Sequence, residues 1–204
     1  MIRVSRTRHR ILVAFACFGG LACQLRRPPT MPSRMIEPQL LDPGLSEPPR
    51  QVTKAPNAIS VHLLDTQARG HIGRRVLHRQ ENGELTQDSV WWWSSAPDRY
   101  LDTALRLDVA SRPDVRLVDG DRAPDLAAML LVWNLEFQGG ARFVGIVEFQ
   151  IRGIDGVLNT HVVRASEPVS MELPGDLAAV AGRLMRRFAA EGLTFVASEQ
   201  KRMK

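Results

Sequence analysis

Cysteine is nearly absent from this sequence: two among 204 residues, Cys17 and Cys23, both near the start. No internal disulfide can form beyond residue 23, and no thiol nucleophile is available there. Long apolar runs are missing too. The clearest is residues 11–22, twelve residues without a charge. At about 1.5 Å each they make about 18 Å of helix, against about 30 Å of bilayer hydrocarbon. That excludes a comfortable permanent membrane span. Catalytic spacing is also lacking. His62, His71, His78 and His161 are scattered, and no pair has the HExxH separation that puts two imidazoles on one helix face. "GGAR" and "GHIG" lack the lysine and the strand-to-helix setting of a phosphate loop. Asp119 and Asp121 share a loop and read as solvated. These absences predict a protein that is not an enzyme, with no metal and no cofactor.

The basic pI, near 10.0, suggests nucleic acid at first sight. Most of the excess is local. Four of the 27 Lys and Arg lie in residues 1–22, which hold no acid. Without them the chain has 23 basic against 22 acidic residues, and residues 57–198 alone have 15 against 18. Phosphate-backbone binding needs a concentrated basic face, so no nucleic-acid partner is expected.

The N-terminus is what remains to be explained. Arg3, Arg6, Arg8 and Arg10 precede the apolar run, and small residues close it. A basic n-region, a short h-region and small residues before a cut describe an export signal. A buried helix of a globular domain is the plainer alternative, but no polar face alternates with the apolar one and no cap precedes it. "GLAC" puts Ala22 immediately before Cys23 and resembles a bacterial lipobox, in which the cysteine is acylated and becomes the first mature residue. The pattern departs at Gly20, where leucine is preferred, and Cys17 in "AFAC" competes less well. Cleavage after residue 22 would leave one cysteine in an exported chain, and acylation accounts for it. Buried methylenes contribute roughly 0.8 kcal/mol each, so three acyl chains make an effectively permanent anchor. Gln24, in place of an aspartate, leans toward the outer membrane.

Residues 24–56 hold eight of the 13 prolines and read as an extended tether. The expected organisation is a signal peptide over 1–22, lipidated Cys23 and tether over 23–56, one domain over 57–198, and a basic tail over 199–204. In the domain, residues 58–64 and 74–80 have strand character, with "ENGEL" as a turn. Ser95 is a candidate N-cap, Pro97 suits a first turn, and Tyr100, Leu101, Ala104 and Leu105 share a helix face. "DVRLVD" is a short strand. A three-stranded meander follows. Met129, Leu131, Trp133, Leu135 and Phe137 are predicted on one face of its first strand, and Phe143, Gly145, Val147, Phe149 and Ile151 on one face of the next. Gly139-Gly140 and "GIDG" turn the chain. The last helix begins near Asp176 with Leu177, Val180, Ala181, Leu184, Met185 and Phe188 inward and Gly192 as a plausible stop. The class is α+β: one domain, a largely antiparallel sheet, two main helices on one face.

The triple tryptophan is the unusual surface candidate. In an extended segment Trp91 and Trp93 share a side and Trp92 takes the other. One or two can anchor the helix to the sheet. Trp91 and Trp92 are the candidates for contact with a partner or lipid.

"GHIGRRVLHRQ", "WWWSSAPDRYLDTAL", "DVRLV", "APDLAAMLLVWNLEF" and a closing amphipathic helix occur in an order that resembles one family over about residues 58–196. This is the auxiliary lipoprotein component of ABC-type transport systems, the group that includes the paraquat-inducible PqiC lipoprotein. Trp93 matches the family tryptophan. The resemblance implies an outer-membrane lipoprotein facing the periplasm. It would bind the periplasmic end of an ABC permease and Mce-domain assembly during lipid transport, with phospholipid as a further partner. It brings no catalytic residues. The alternative is a tethered lipoprotein that regulates a cell-wall, peptidoglycan-building enzyme. A third reading, an exported hydrolase, needs His62 or His78 joined to an acid and a nucleophile. The N-terminal reading has a direct test. Mass spectrometry of the membrane-extracted protein should find a mature chain starting at acylated Cys23, and Cys23→Ala should abolish the acyl mass.

Overall fold

The computed structural model describes residues 33–41, 52–120, 123–171 and 174–202. The signal-peptide and Cys23 readings fall outside the described residues. The strands are β1 (Arg34–Ile36), β2 (Ile59–Leu63), β3 (Gln67–Ala68), β4 (Arg75–Arg79), β5 (Leu85–Trp93), β6 (Val115–Leu117), β7 (Asp125–Glu136), β8 (Arg142–Arg152) and β9 (Leu158–Pro168). The helices are α1 (Pro97–Ser111) and α2 (Pro174–Arg202). The class is α+β: one nine-stranded sheet and two helices. Its long ladders, β7–β8, β8–β9 and β4–β5, are antiparallel. Short parallel pairings join β1 to β5, β2 to β6, and β2, β3 and β4 to β7.

β7 organises the sheet. One edge pairs with β8 along its whole length. The other is shared in succession by β2 at Asp125–Leu126, β3 at Met129–Leu130 and β4 at Leu135–Glu136. The hairpin to β8 turns at Gly139 and Gly140, whose φ values of 72° and 121° only glycine adopts readily. The expected face Met129, Leu131, Trp133, Leu135, Phe137 is corrected. A bulge between Leu130 and Val132 inserts one residue and reverses the alternation. Leu126, Ala128 and Leu130 point to the core before it, Trp133 and Leu135 after it. Met129 and Leu131 are half-buried, and Phe137 lies exposed past the strand end.

α1 has its expected inward face of Tyr100, Leu101, Ala104 and Leu105. The cap differs. Ala96, not Ser95, is the N-cap, and it has no side-chain cap bond. The Tyr100 hydroxyl folds back instead, bonding to the Ser94 hydroxyl and accepting the Ser95 backbone N–H at 2.7 Å. At the other end the last turn has no basic residue of its own. Lys54 donates to the carbonyls of Val109 and Arg112 at 2.5 and 2.7 Å, satisfying groups the helix leaves open.

α2 runs through Gly192 rather than stopping there, and continues to Arg202. The reason is a pair of close approaches in opposite directions. A methyl on Gly192 would lie 2.6 Å from the ring of Phe149 on β8. A methyl on Gly145 of β8 would lie 2.7 Å from the ring of Phe188 on α2. Each ring occupies the space left by the other element's glycine. The basic tail expected from residue 199 is corrected as well: Glu199 is buried, and Gln200 donates to the Ser60 carbonyl at 2.9 Å.

The tether expected over residues 23–56 also needs correction, because the folded unit begins at Ser33. β1 pairs in parallel with β5, and Ile36 and Pro38 are buried. The chain then crosses α2. Gln39 donates its N–H to the Ala178 carbonyl at 3.1 Å and accepts from Arg186 at 2.6 Å. Any side chain at Gly182 would collide with the Gln39 backbone. Proline density hid this strap because its apolar residues, Met35, Ile36, Leu40 and Leu41, are few and show no clean period.

In the middle of an exposed helix, Gly→Ala ordinarily stabilises by up to about 1 kcal/mol. Gly182→Ala should instead destabilise by about 1–3 kcal/mol through overpacking, measured by urea unfolding. Gly175→Ala on the same helix, with nothing within 4 Å of the added methyl, serves as the control and should not destabilise.

Candidate functional site

The tryptophan run ends β5 where β1 joins the sheet, with Arg34 opposite Trp91, Met35 opposite Trp92 and Ile36 opposite Trp93. On the other side of β5, Arg75 of β4 pairs with Trp92. In-register partners share a face, so period two sorts the side chains. Trp93 enters the core at 1% exposure, its ring 5.9 Å from Trp133 and 5.7 Å from Phe143. Trp91 is half-buried on the same side, packed against the core, with the Arg34 guanidinium 5.7 Å from its ring centroid. Trp92 is half-buried on the opposite side. The Arg75 guanidinium covers it at 4.4 Å, a cation–π distance. Neither Trp91 nor Trp92 projects freely into solvent, as an exposed contact residue would. Each presents an indole with an arginine over it.

β5 reaches this position by an irregular route. Its pairing with β4 jumps from Leu77–Gln87 to Arg75–Trp92, so residues 88–91 bulge out. Asp88 stabilises the bulge by accepting the N–H groups of Val90 and Trp91 at 2.7 and 2.9 Å. Its other oxygen lies 2.8 Å from Nε2 of His78, within ion-pair range but off the hydrogen-bonding line. Arg74 donates to the carbonyls of Trp93 and Ser94 at 3.2 and 2.9 Å, fixing the end of the run.

The remaining sequence candidates are not brought together. Nδ1 of His62 meets Oδ1 of Asp125 at 2.8 Å, across paired strands. His78 is tied to Asp88 and packs at a tilt against Phe137, with centroids 5.5 Å apart. His161 stacks on Phe195 at 5.2 Å beside an open groove of about 460 Å³ between β9 and α2. His71 and Asp119 are exposed, and Asp121 is outside the described residues. Among the described residues, no three His, Cys, Asp or Glu side chains are placed to hold a metal, and no helix is long and apolar enough to cross a membrane. The displaced carboxyl groups sit at the end of α1. Burial pushes Asp108 above its ordinary value, and the bond from Arg112 holds Asp114 below it. Arg112 lies 3.8 Å from the first and 3.0 Å from the second, closing the helix.

A guanidinium stacked on an indole keeps its N–H edge free for phosphate or carboxylate oxygens while the ring offers apolar surface. Reading the sequence alone missed Arg34, Met35 and Arg75. No local signal could have found them, because all three precede the tryptophans by 16 residues or more and meet them only across strand pairings.

No family model matches the sequence, and no curated protein matches it. Solved structures do resemble its fold. A Xanthomonas campestris protein of the DUF330 family, XCC0632, aligns over 84% of this chain and 100% of its own, with a TM-score of 0.64 and 16% identity. An uncharacterized protein aligns over 70% of this chain and 92% of its own, with a TM-score of 0.57 and 12% identity. The hypothetical protein CT253 from Chlamydia trachomatis aligns over 68% of this chain and 95% of its own, with a TM-score of 0.50 and 10% identity. At these identities the likeness is one of fold.

Truncating the three tryptophans should separate their roles. Trp93→Ala should cost about 3–5 kcal/mol, as for a buried aromatic. Trp91→Ala should cost less and Trp92→Ala least, in an equilibrium unfolding series.

Proposed function

We propose that this chain is a non-enzymatic auxiliary lipoprotein of an Mce/ABC-type lipid transport system. It is anchored in the outer membrane through Cys23 and binds the periplasmic end of the transporter. The observation that carries the reading is where the family-like segments fall. "GHIGRRVLHRQ" leads into and contains β4, "WWWSSAPDRYLDTAL" joins β5 to α1, "APDLAAMLLVWNLEF" is β7, and the closing helix is α2. All belong to one unit whose fold is shared with the DUF330 protein over 84% of the chain. His62 and His78 are engaged by carboxylates across adjacent strands, which supports structural rather than catalytic roles for both.

The alternative, a lipoprotein that reaches out to a cell-wall enzyme, depends on a long leash. With the strap from Ser33 in the fold, nine residues separate it from Cys23. At no more than about 3.6 Å per residue this is roughly 35 Å of chain. The shorter reach favours a partner that comes to the membrane.

Crosslinking in intact cells followed by affinity purification should recover an Mce-domain protein in stoichiometric yield. Recovery of a peptidoglycan synthase in its place would transfer the assignment to the alternative.

A further inference from the structure

We infer that the β1–β5–β4 end of the sheet is a membrane-docking surface that rests on the phosphate headgroups of the bilayer holding the Cys23 acyl chains. The inference rests on the lipoprotein reading above. Its geometry comes from three adjacent strands. Met35, Trp92 and Arg75 stand side by side, in register, on one face. Met35 is 69% exposed, the second most exposed of the large apolar side chains among the described residues. On the other face Arg34 covers Trp91, and exposed Arg74 sits at the same end. Arg34 and Arg75 make no ion pair with a carboxylate among the described residues, so their N–H groups are open to an outside anion.

This composition matches a bilayer interface. Indole rings settle at headgroup depth, and arginine binds phosphate through paired N–H groups. An exposed methionine adds flexible apolar surface. The charge distribution orients the domain as well. Residues 33–204 carry 21 basic and 22 acidic residues, so the domain as a whole gains nothing from an anionic surface. Three arginines at one edge select the side that faces the lipid. β1 begins at Arg34, and the chain from Cys23 to Ser33 spans at most about 35 Å, which limits how far this edge can stand from an acylated Cys23. The anchor supplies proximity, and the Arg–Trp pairs supply orientation.

Tryptophan fluorescence tests this directly. The full mature protein, with its acylation checked by mass, is reconstituted into phosphatidylcholine–phosphatidylglycerol vesicles with plain or brominated acyl chains. Brominated lipid should quench part of the emission, while core Trp93 and Trp133 provide the unquenched remainder. Trp92→Phe should remove most of the difference between the two lipids. Arg34→Gln with Arg75→Gln should reduce it while leaving the melting temperature nearly unchanged. Equal emission in both lipids from the acylated protein would overturn docking and leave the lipoprotein reading standing. If the chain proves unacylated, the lipoprotein reading fails by itself. The same quenching on adding vesicles to that chain would then support docking, and its absence would overturn it.

Discussion

Each layer of the domain meets α2, and α2 can lie where it does because three side chains are missing. Gly192 admits the ring of Phe149, Gly145 admits the ring of Phe188, and Gly182 admits the backbone of Gln39. Interiors pack as densely as organic crystals, so a methyl in any of these gaps must move a neighbour. The two ring-in-notch contacts fix α2 against β8 in both position along the axis and rotation about it. That rotation aims Leu184, Met185 and Phe188 at the sheet and leaves Gly182 toward the strap.

The strap then extends the sheet. Held on α2 at Gln39, the preceding residues lie along β5 and cover an edge that would otherwise leave its backbone groups unpaired. Ile36 fills the space beside Trp93, joining the start of the chain to the central aromatic cluster of Trp93, Trp133 and Phe143. A pull on the N-terminus therefore acts on the core of the domain.

The aromatic cluster depends on β7. Its bulge at Leu131 lets one strand direct small and branched side chains inward over its first half and Trp133 and Leu135 inward over its second. Without the extra residue Trp133 would face the side away from the helices. Trp93 and Phe143 would then lose the ring between them. The His62–Asp125 contact ties the short parallel pairing of β2 with β7, where few backbone bonds are available, and the His78–Asp88 contact spans the antiparallel β4–β5 pair at the β5 bulge.

Periodicity, turn residues and composition determined much of this protein: the α+β class, the helical inward faces, the glycine turns, the strand order of the meander, and the side-by-side logic that separates Trp92 from Trp91 and Trp93. These are local properties, carried by residues a few positions apart. Only the tertiary structure decided that Gly192 lies within a helix and that Leu131 is the extra residue of a strand. Only it put Arg34 and Arg75 over tryptophans more than ten residues away and made Ser33–Leu41 a part of the sheet. Each depends on a contact between segments distant in sequence. The free energy of that contact outweighs a local preference, and no window along the chain contains both partners.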